Sequence, residues 1–411
     1  MSKIILNSSK ISHTEVEFFL SGSKSISQRV LVINYLSNFH DNVENLSNSD
    51  DTNVLYNALY FGKSIINVKN SGTALRFLIS VFALKNVNIT LTGSEYLLQR
   101  PITPLIELLN LLGGRVFKEN NEIYIQKSNL IGSVLNLDVL YTSQFISSLL
   151  LISPYLQDGI TFNMPKKIYS GSYIDMTVSI MKHCGAKIAM NNNTMHVSHH
   201  HYSNNLQFIE SDWTSASYLF LAFLFSKLNS IIISTLYKKS MQNDQVIVDF
   251  FSLLGVSTIF DNNNVILKKI NHSALPQKIA WDFIDNPDLF PTILVACFGL
   301  GIDLFATGLT TLAYKESNRI MAMKNELEKF DCIYTIESKD AIYMQPNNNT
   351  HINKELICIE TYNDHRIALS LSPLVLLGWE LQIDNPLVIN KSYPDFWTDL
   401  CKFGVKLKSE L

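Results

Sequence analysis

At 411 residues, with 47% hydrophobic and 17% charged residues and a formal net charge of -3, the chain has a globular composition that suits two domains of roughly 200 residues each. That balance excludes a disordered chain and gives no global attraction to nucleic acid or to a membrane surface. Five cysteines placed singly, with no C-x-x-C pair, point away from a disulfide framework and a zinc site.

The opening MSKIILNSSK carries no apolar leader, and the longest apolar tract, Leu289 to Ile302, is too short to span a bilayer. A cytoplasmic location is expected.

The first predicted elements are a strand ending near Leu20 and a helix through the apolar residues after Arg29, joined by SGSKSISQR. Free amides at that helix start, with Lys24 and Arg29 beside them, suit an anion. A nucleotide loop needs G-x-x-x-x-G-K-[ST]; no glycine precedes Gly22, and Gly22 stands only two residues before Lys24, which removes that reading. NSGTALRFL, with Asn70 and Gly72, is a second turn running into a helix, with Arg76 one turn in. In LLQRPI, Arg100 is held extended by Pro101, which suits the first turn of the next helix. Thr142, Ser143 and Gln144 head an apolar helix in YTSQFISSLLLISP, and Ser170 and Tyr173 precede another in SGSYIDMTVSIM. Such groups cap helices and also bind sugar or cyclitol hydroxyls.

In the second half, DNPDLFPTIL brings Asp285 and Asp288 to the start of a buried helix, whose positive end keeps them ionised. A carboxylate there can accept a hydroxyl proton. YKESNRIMAM is read as one helical turn carrying Lys315, Glu316 and Arg319, with the two cations at i, i+4 spacing; that like-charged pair is easiest to explain with an anion between them. Asp364, His365 and Arg366 in TYNDHRIALSL, and Lys391 in NKSYPDFW, head further elements. Each pattern alone is equally an ordinary cap or a solvated turn. The tract HVSHHHYSNN has no carboxylate or cysteine at ligand spacing, so no metal is expected.

A larger grammar recurs: amphipathic helix, glycine, short strand, polar turn, strand. LIELLNLLGGRVFKENNEIYIQ shows it, and it returns twice at intervals of roughly 70 residues, with Gly113, Gly185 and Gly255 closing the helices. A fourth copy, ELEKFDCIYTIESKDAIYMQ, has Phe330-Asp331 in place of the glycine, and weaker copies lie at NALYFGKSIINV and LSPLVLLGWELQID. Duplicated α/β units are expected.

Taken in order, GSKSISQR, NSGTALRF, QRPI, TSQF, SGSYID, DNPD, KESNR, NDHR and NKSYPDF resemble the motifs of the 3-phosphoshikimate 1-carboxyvinyltransferase (EPSP synthase) family over nearly the whole chain. The resemblance implies an α/β fold of two lobes, each of three βαβαββ units around a pseudo-threefold axis. It implies an amino-terminal lobe of residues 21–209, a discontinuous carboxyl-terminal lobe of 1–20 plus 210–411, and an active site in the cleft between them.

The implied reaction moves the enolpyruvyl group of phosphoenolpyruvate onto the 5-hydroxyl of shikimate 3-phosphate, releasing phosphate, without metal or organic cofactor, in a monomer with no nucleic-acid or membrane partner. Carried over by motif, shikimate 3-phosphate meets Lys24, Ser25, Arg29, Thr142, Ser143, Gln144, Ser170, Tyr173, Asp288 and Lys315. Phosphoenolpyruvate meets Lys24, Asn70, Gly72, Arg100, Gln144, Arg319, Arg366 and Lys391. Asp288 takes the hydroxyl proton, and Lys24, Glu316 or Lys391 protonates the methylene carbon.

Thr142, Asn318 and Phe77 stand where serine, aspartate and proline are common in the family, and no contact is carried to Thr311. The sister enolpyruvyl transferase acting on UDP-N-acetylglucosamine uses a loop cysteine near the arginine matching Arg100; here the nearest cysteine is Cys184, which disfavours it. A non-catalytic anion-binding relative is the other alternative.

Overall fold

The computed structural model describes residues 3–9, 15–39, 43–137, 142–166, 168–270, 274–347 and 355–410. The chain divides into two compact units, Gly22–Ile209 and a discontinuous one of Met1–Ser21 with Glu210–Leu411.

The repeated grammar folds as helix, left-handed residue and hairpin. Helix Thr103–Leu111 ends at Gly113 (φ +94°) and leads into the antiparallel strands Arg115–Glu119 and Glu122–Gln126. Helices Ser172–His183 and Ile247–Leu253 do the same through Gly185 (φ +97°) and Gly255 (φ +85°). The asparagines at the hairpin tips, Asn120, Asn121, Asn192 and Asn262, take positive φ, which asparagine tolerates where most side chains clash. In the fourth copy Asp331 supplies the left-handed residue (φ +57°), for the same reason. The two weaker copies differ: Gly62 is extended (φ -64°), and the chain after Gly62 and after Gly378 forms one strand before the next helical segment.

All five four-stranded sheets share one order. In the sheet Ile65–Asn67, Ile89–Thr92, Glu122–Gln126, Arg115–Glu119, the first two strands are parallel and the other two antiparallel. Val134–Asn136, Ile160–Asn163, Thr194–Val197 and Ile188–Asn191 repeat it in the same unit. The third repeat of Gly22–Ile209 is represented, among the described residues, by a single parallel bridge, Glu44 to Phe208. The polar stretch around Glu44 lacks the apolar alternation that holds a longer strand in register.

The discontinuous unit has three such sheets. Lys278–Asp282, Asp303–Thr307, Ile342–Gln345 and Ile333–Ile336 form one locally. The other two are completed from the chain start. Glu15–Phe19 pairs in parallel with Ser230–Ser234, and Lys3–Ser8 lies between Leu381–Asp384 and Val405–Glu410. Pairing at that sequence distance explains why the first residues belong with the last.

In each unit the sheets pack against helices buried around almost their whole circumference, Gly72–Leu84 and Ser143–Ile152 in one, Trp213–Phe225 and Phe290–Gly299 in the other. A helix buried on every side meets water only at its ends. Gly72, Ser143 and Asp288 stand at or just before the amino ends of three of these helices.

Candidate active site

The expected residues fall into two sets, one per unit. In the discontinuous unit, Asp288 lies in a 3-10 turn, Pro287–Leu289, that leads into helix Phe290–Gly299. Its Oδ1 faces Arg319 Nη1 at 3.1 Å and Lys315 Nζ at 3.6 Å, and its Oδ2 accepts from Arg366 Nη2 at 2.8 Å. Burial opposes the charge, yet Arg366, Lys315 and Arg319 together hold the carboxyl well below the usual carboxylate range. Lys315 is drawn down from its ordinary value, first by burial.

Lys315 and Arg319 do not share a helical face. Asn318 accepts from Met321 N at 3.3 Å and caps the helix, which starts at Arg319; Lys315 is extended (φ -80°, ψ -153°) at the end of a 3-10 turn. The anion expected between the two cations is the Asp288 carboxylate. Asn318 caps as an aspartate would, so that departure leaves the geometry intact.

Arg319 is fully buried and held by three carboxylates: Nε to Asp364 at 3.0 Å, Nη1 to Asp288 at 3.1 Å and Nη2 to Glu316 at 2.8 Å. Glu316 also receives Lys391 Nζ at 3.0 Å. Lys391 ends a 3-10 turn, Pro386–Lys391, instead of heading an element. Arg366 opens helix His365–Leu371 and donates to Tyr218 Oη at 3.1 Å. Lys315, Arg319, Arg366 and Lys391 thus gather around Asp288, Glu316 and Asp364, a concentration of cations that suits anionic ligands.

In Gly22–Ile209, Ser23 caps helix Lys24–Ser37, and Lys24 Nζ lies 3.5 Å from Asp51, in the first turn of helix Asp50–Phe61. Arg29 is buried and makes four hydrogen bonds, all to neutral groups: Nε to Thr177 Oγ1 at 2.7 Å, Nη1 to Ser25 O at 2.7 Å, and Nη2 to Ser147 Oγ at 3.3 Å and Tyr173 O at 3.2 Å. Burial lowers its guanidinium to about 10, which leaves it charged at neutral pH. Its guanidinium carbon stands 5.6 Å from the Phe77 ring centroid, so the phenylalanine found where proline is common supports Arg29.

Gly72 opens helix Gly72–Leu84, and a Cβ built on it would lie 3.0 Å from Nη1 of both Arg76 and Arg100. Two guanidinium groups and a helix amino end converge there, a built setting for an anion. Arg100 Nε and Ser71 Oγ are buried with no hydrogen-bond partner among the described residues. Arg100 is extended (φ -66°, ψ 150°) as expected, but Pro104, not Pro101, sits in the first turn of the following helix. Gln144 Nε2 donates to Thr73 Oγ1 at 3.3 Å, which ties the head of Ser143–Ile152 to the Gly72 turn.

Asn70 is exposed just before that turn. Thr142, Ser143 and Ser170 stand at the expected helix heads, yet none makes a side-chain hydrogen bond to another expected residue among the described ones. Ser170 has φ +57°, an unusual conformation for serine, and Tyr173 lies inside the first turn of its helix.

The single-residue motifs left three residues out. Asp51 pairs with Lys24 from the polar segment NSDD, which reads as a plain cap. Tyr218 lies within an apolar helix, where only the phenol marks it. Asp244 is buried against Thr214 Oγ1 at 2.5 Å, and burial, with Asp288 nearby, raises its carboxyl to about 7. The histidine tract lies outside both sets; His199 Nδ1 bonds Leu156 O at 3.0 Å, and no group of three metal-binding side chains occurs among the described residues.

Comparison with known proteins gives one family. The model of EPSP synthase (3-phosphoshikimate 1-carboxyvinyltransferase) matches residues 60–400. The 3-phosphoshikimate 1-carboxyvinyltransferase of Bacteroides fragilis strain YCH46 is 35% identical over 398 residues, covering 95% of this chain and 96% of its own. That of Buchnera aphidicola subsp. Cinara cedri is 32% identical over 412 residues, covering 92% of each. An EPSP synthase structure from Acinetobacter baumannii superposes with a TM-score of 0.75 at 17% identity, covering 100% of both chains, and so shares the two-lobed enolpyruvyl transferase fold. By sequence match over most of its length, and with a fold to agree, the chain belongs to the EPSP synthase (3-phosphoshikimate 1-carboxyvinyltransferase) family.

Proposed function

We propose that the chain transfers the enolpyruvyl group of phosphoenolpyruvate to the 5-hydroxyl of shikimate 3-phosphate, giving 5-enolpyruvylshikimate 3-phosphate and phosphate in the shikimate pathway. Supporting it are the family's name and the two cation sets, which suit substrates bearing phosphates and carboxylates.

The hydroxyl oxygen bonds to C2 of the donor as its proton passes to Asp288, and the donor's methylene carbon takes a proton from Lys24, Glu316 or Lys391. Phosphate then leaves C2 while the new methyl group returns a proton to the group that gave it, which re-forms the C=C bond as the enol ether of the product. The cations stabilise the charge of the phosphate and carboxylates through both steps.

One observation carries the reading: three cations from two separate segments converge on one carboxylate, Asp288. A carboxylate held that low is a weak proton acceptor. Phosphate and carboxylate groups of the substrates compete for the same cations, so the proton affinity of Asp288 rises as they bind. Asp288 and Lys315 then serve shikimate 3-phosphate, and Arg319, Arg366 and Lys391 the donor. Ser25, Thr142, Ser143, Ser170, Tyr173 and Gln144 supply neutral partners to the acceptor, while Asn70, Gly72, Arg100 and Gln144 receive the donor, with Lys24 touching both. Arg29, its N–H groups largely engaged, acts chiefly through its charge.

The enzyme is read as a monomer acting on small molecules in the cytoplasm; among the described residues no helix is long and apolar enough to cross a membrane. Phosphate release from phosphoenolpyruvate, followed with each acceptor, tests the function. Release driven by UDP-N-acetylglucosamine and not by shikimate 3-phosphate would replace it with the sister activity.

A further inference from the structure

Arg76 belongs to none of the substrate contacts assigned above, yet it is almost wholly buried at the point where the donor's site is built. Its Nη1 donates to Gly72 O at 2.8 Å and its Nη2 to Pro101 O at 3.2 Å. Gly72 opens its own helix, whereas Pro101 is the residue after Arg100. The guanidinium is therefore a strut between the helix start and the backbone that carries Arg100.

We propose that Arg76 is a positioning residue for the phosphoenolpyruvate site, holding Arg100 and the Gly72 turn at the spacing the donor's anion needs; this rests on the donor reading above. The surroundings fix the strut at both ends. The guanidinium carbon stands 5.4 Å from the Phe145 ring centroid. Ser148 Oγ donates to Arg76 O at 2.7 Å and lies 2.6 Å from Ser80 Oγ, which ties this helix to Ser143–Ile152.

Residue type matters at each position. Only a planar, forked cation reaches two carbonyls in different directions at once; a lysine ammonium serves one of them well. Glycine leaves the space: a Cβ on Gly72 would meet Nη1 of both arginines at 3.0 Å, so each guanidinium would have to give by a few tenths of an ångström. Arg76 commits both of its terminal nitrogens to backbone carbonyls, while Arg100 Nε is buried with no protein hydrogen bond among the described residues. One arginine holds and the other receives.

The test is a double-mutant cycle in the full chain with Arg76→Met, Arg100→Met and the pair, reading phosphoenolpyruvate affinity by calorimetry, KM for each substrate, kcat and Tm. Loss of hydrogen bonds from a charged group predicts phosphoenolpyruvate binding about 10- to 30-fold weaker for Arg76→Met, with KM for shikimate 3-phosphate within about 2-fold of the parent. In the Arg100→Met background the further loss should be less than about 3-fold, because Arg76 acts through Arg100. Arg76→Lys should recover part of the loss, and it serves the cycle if the methionine variant does not fold. Unchanged donor affinity, additive losses in the pair, or equal weakening of both substrates in step with Tm would each overturn the proposal. A parent protein that binds no phosphoenolpyruvate would instead remove the donor reading itself.

Discussion

Replacing Asp288 by asparagine keeps the shape of the side chain and removes its charge, which separates chemistry from binding. A general base contributes about 10²- to 10⁴-fold to rate, which is roughly 3–5 kcal/mol of barrier at 1.36 kcal/mol per tenfold. Asp288→Asn should lose turnover in that range while phosphoenolpyruvate still binds, at least as tightly as in the parent, because the variant frees Arg366. Stability should fall by less than the ~3–5 kcal/mol of a fully buried broken pair, because Arg319 keeps Glu316 and Asp364 and Arg366 keeps Tyr218.

The pH dependence has a defined sign. The Asp288 carboxyl is held below its unfolded value, so its contribution is complete above about pH 4 and is lost as pH falls toward the depressed value. Denaturant titrations of parent and variant should therefore converge in strong acid, while from about pH 5 to 8 the gap narrows as pH rises, because the variant lacks the Asp288 charge that helps raise the Asp244 carboxyl. Inorganic phosphate should stabilise the variant more than the parent, since a ligand at 100 times its Kd adds about 2.7 kcal/mol and the variant frees Arg366 and Lys315 to bind it. Turnover within about 10-fold of the parent, or a stability difference that fails to shrink below about pH 4, would refute the reasoning.

Two further outcomes follow from single contacts. Gly72→Ala places a Cβ 3.0 Å from Nη1 of Arg76 and of Arg100; steady-state kinetics should show KM for phosphoenolpyruvate raised by about 10-fold and KM for shikimate 3-phosphate unchanged. Asp244, raised to about 7 by burial and by Asp288, takes up a proton on folding between about pH 4 and 7, so it costs stability increasingly as pH rises through that window. Thermal unfolding of Asp244→Asn should show a gain over the parent at pH 8 that shrinks toward pH 5.

Much of the fold was legible because its units announce themselves locally. A helical period that ends in glycine and gives way to alternation defines the hairpins after Gly113, Gly185 and Gly255, and Asp331 joins them since aspartate also tolerates a left-handed backbone. Long-range pairing leaves no such mark: nothing in Lys3–Ser8 or Glu15–Phe19 by itself says that these strands complete sheets with residues 381–384 and 230–234. The resemblance implied only that residues 1–20 group with the carboxyl-terminal part of the chain, and the strand pairing gives a physical reason for such a grouping.

At the site, Lys24, Arg319 and Arg366 were readable as cations near helix starts, whereas Lys315 and Lys391 close 3-10 turns. Their partners were not readable. Lys315 and Arg319 look like a helical pair by spacing, but the cap at Asn318 breaks the helix between them, and a carboxylate distant in sequence fills the gap. Asp364 serves at once as helix cap and as the clamp on Arg319, a double role that spacing cannot express. The neutral cage around Arg29 comes from Thr177, Ser147 and two backbone carbonyls, groups too common to stand out in a sequence.

Phosphorus NMR of the purified chain with phosphoenolpyruvate and shikimate 3-phosphate tests the central claim most directly. Expected is the loss of the phosphoenolpyruvate signal, an equal gain of inorganic phosphate, and a shifted shikimate phosphate resonance, all requiring both substrates. Unchanged signals, or turnover only when UDP-N-acetylglucosamine replaces shikimate 3-phosphate, would contradict it.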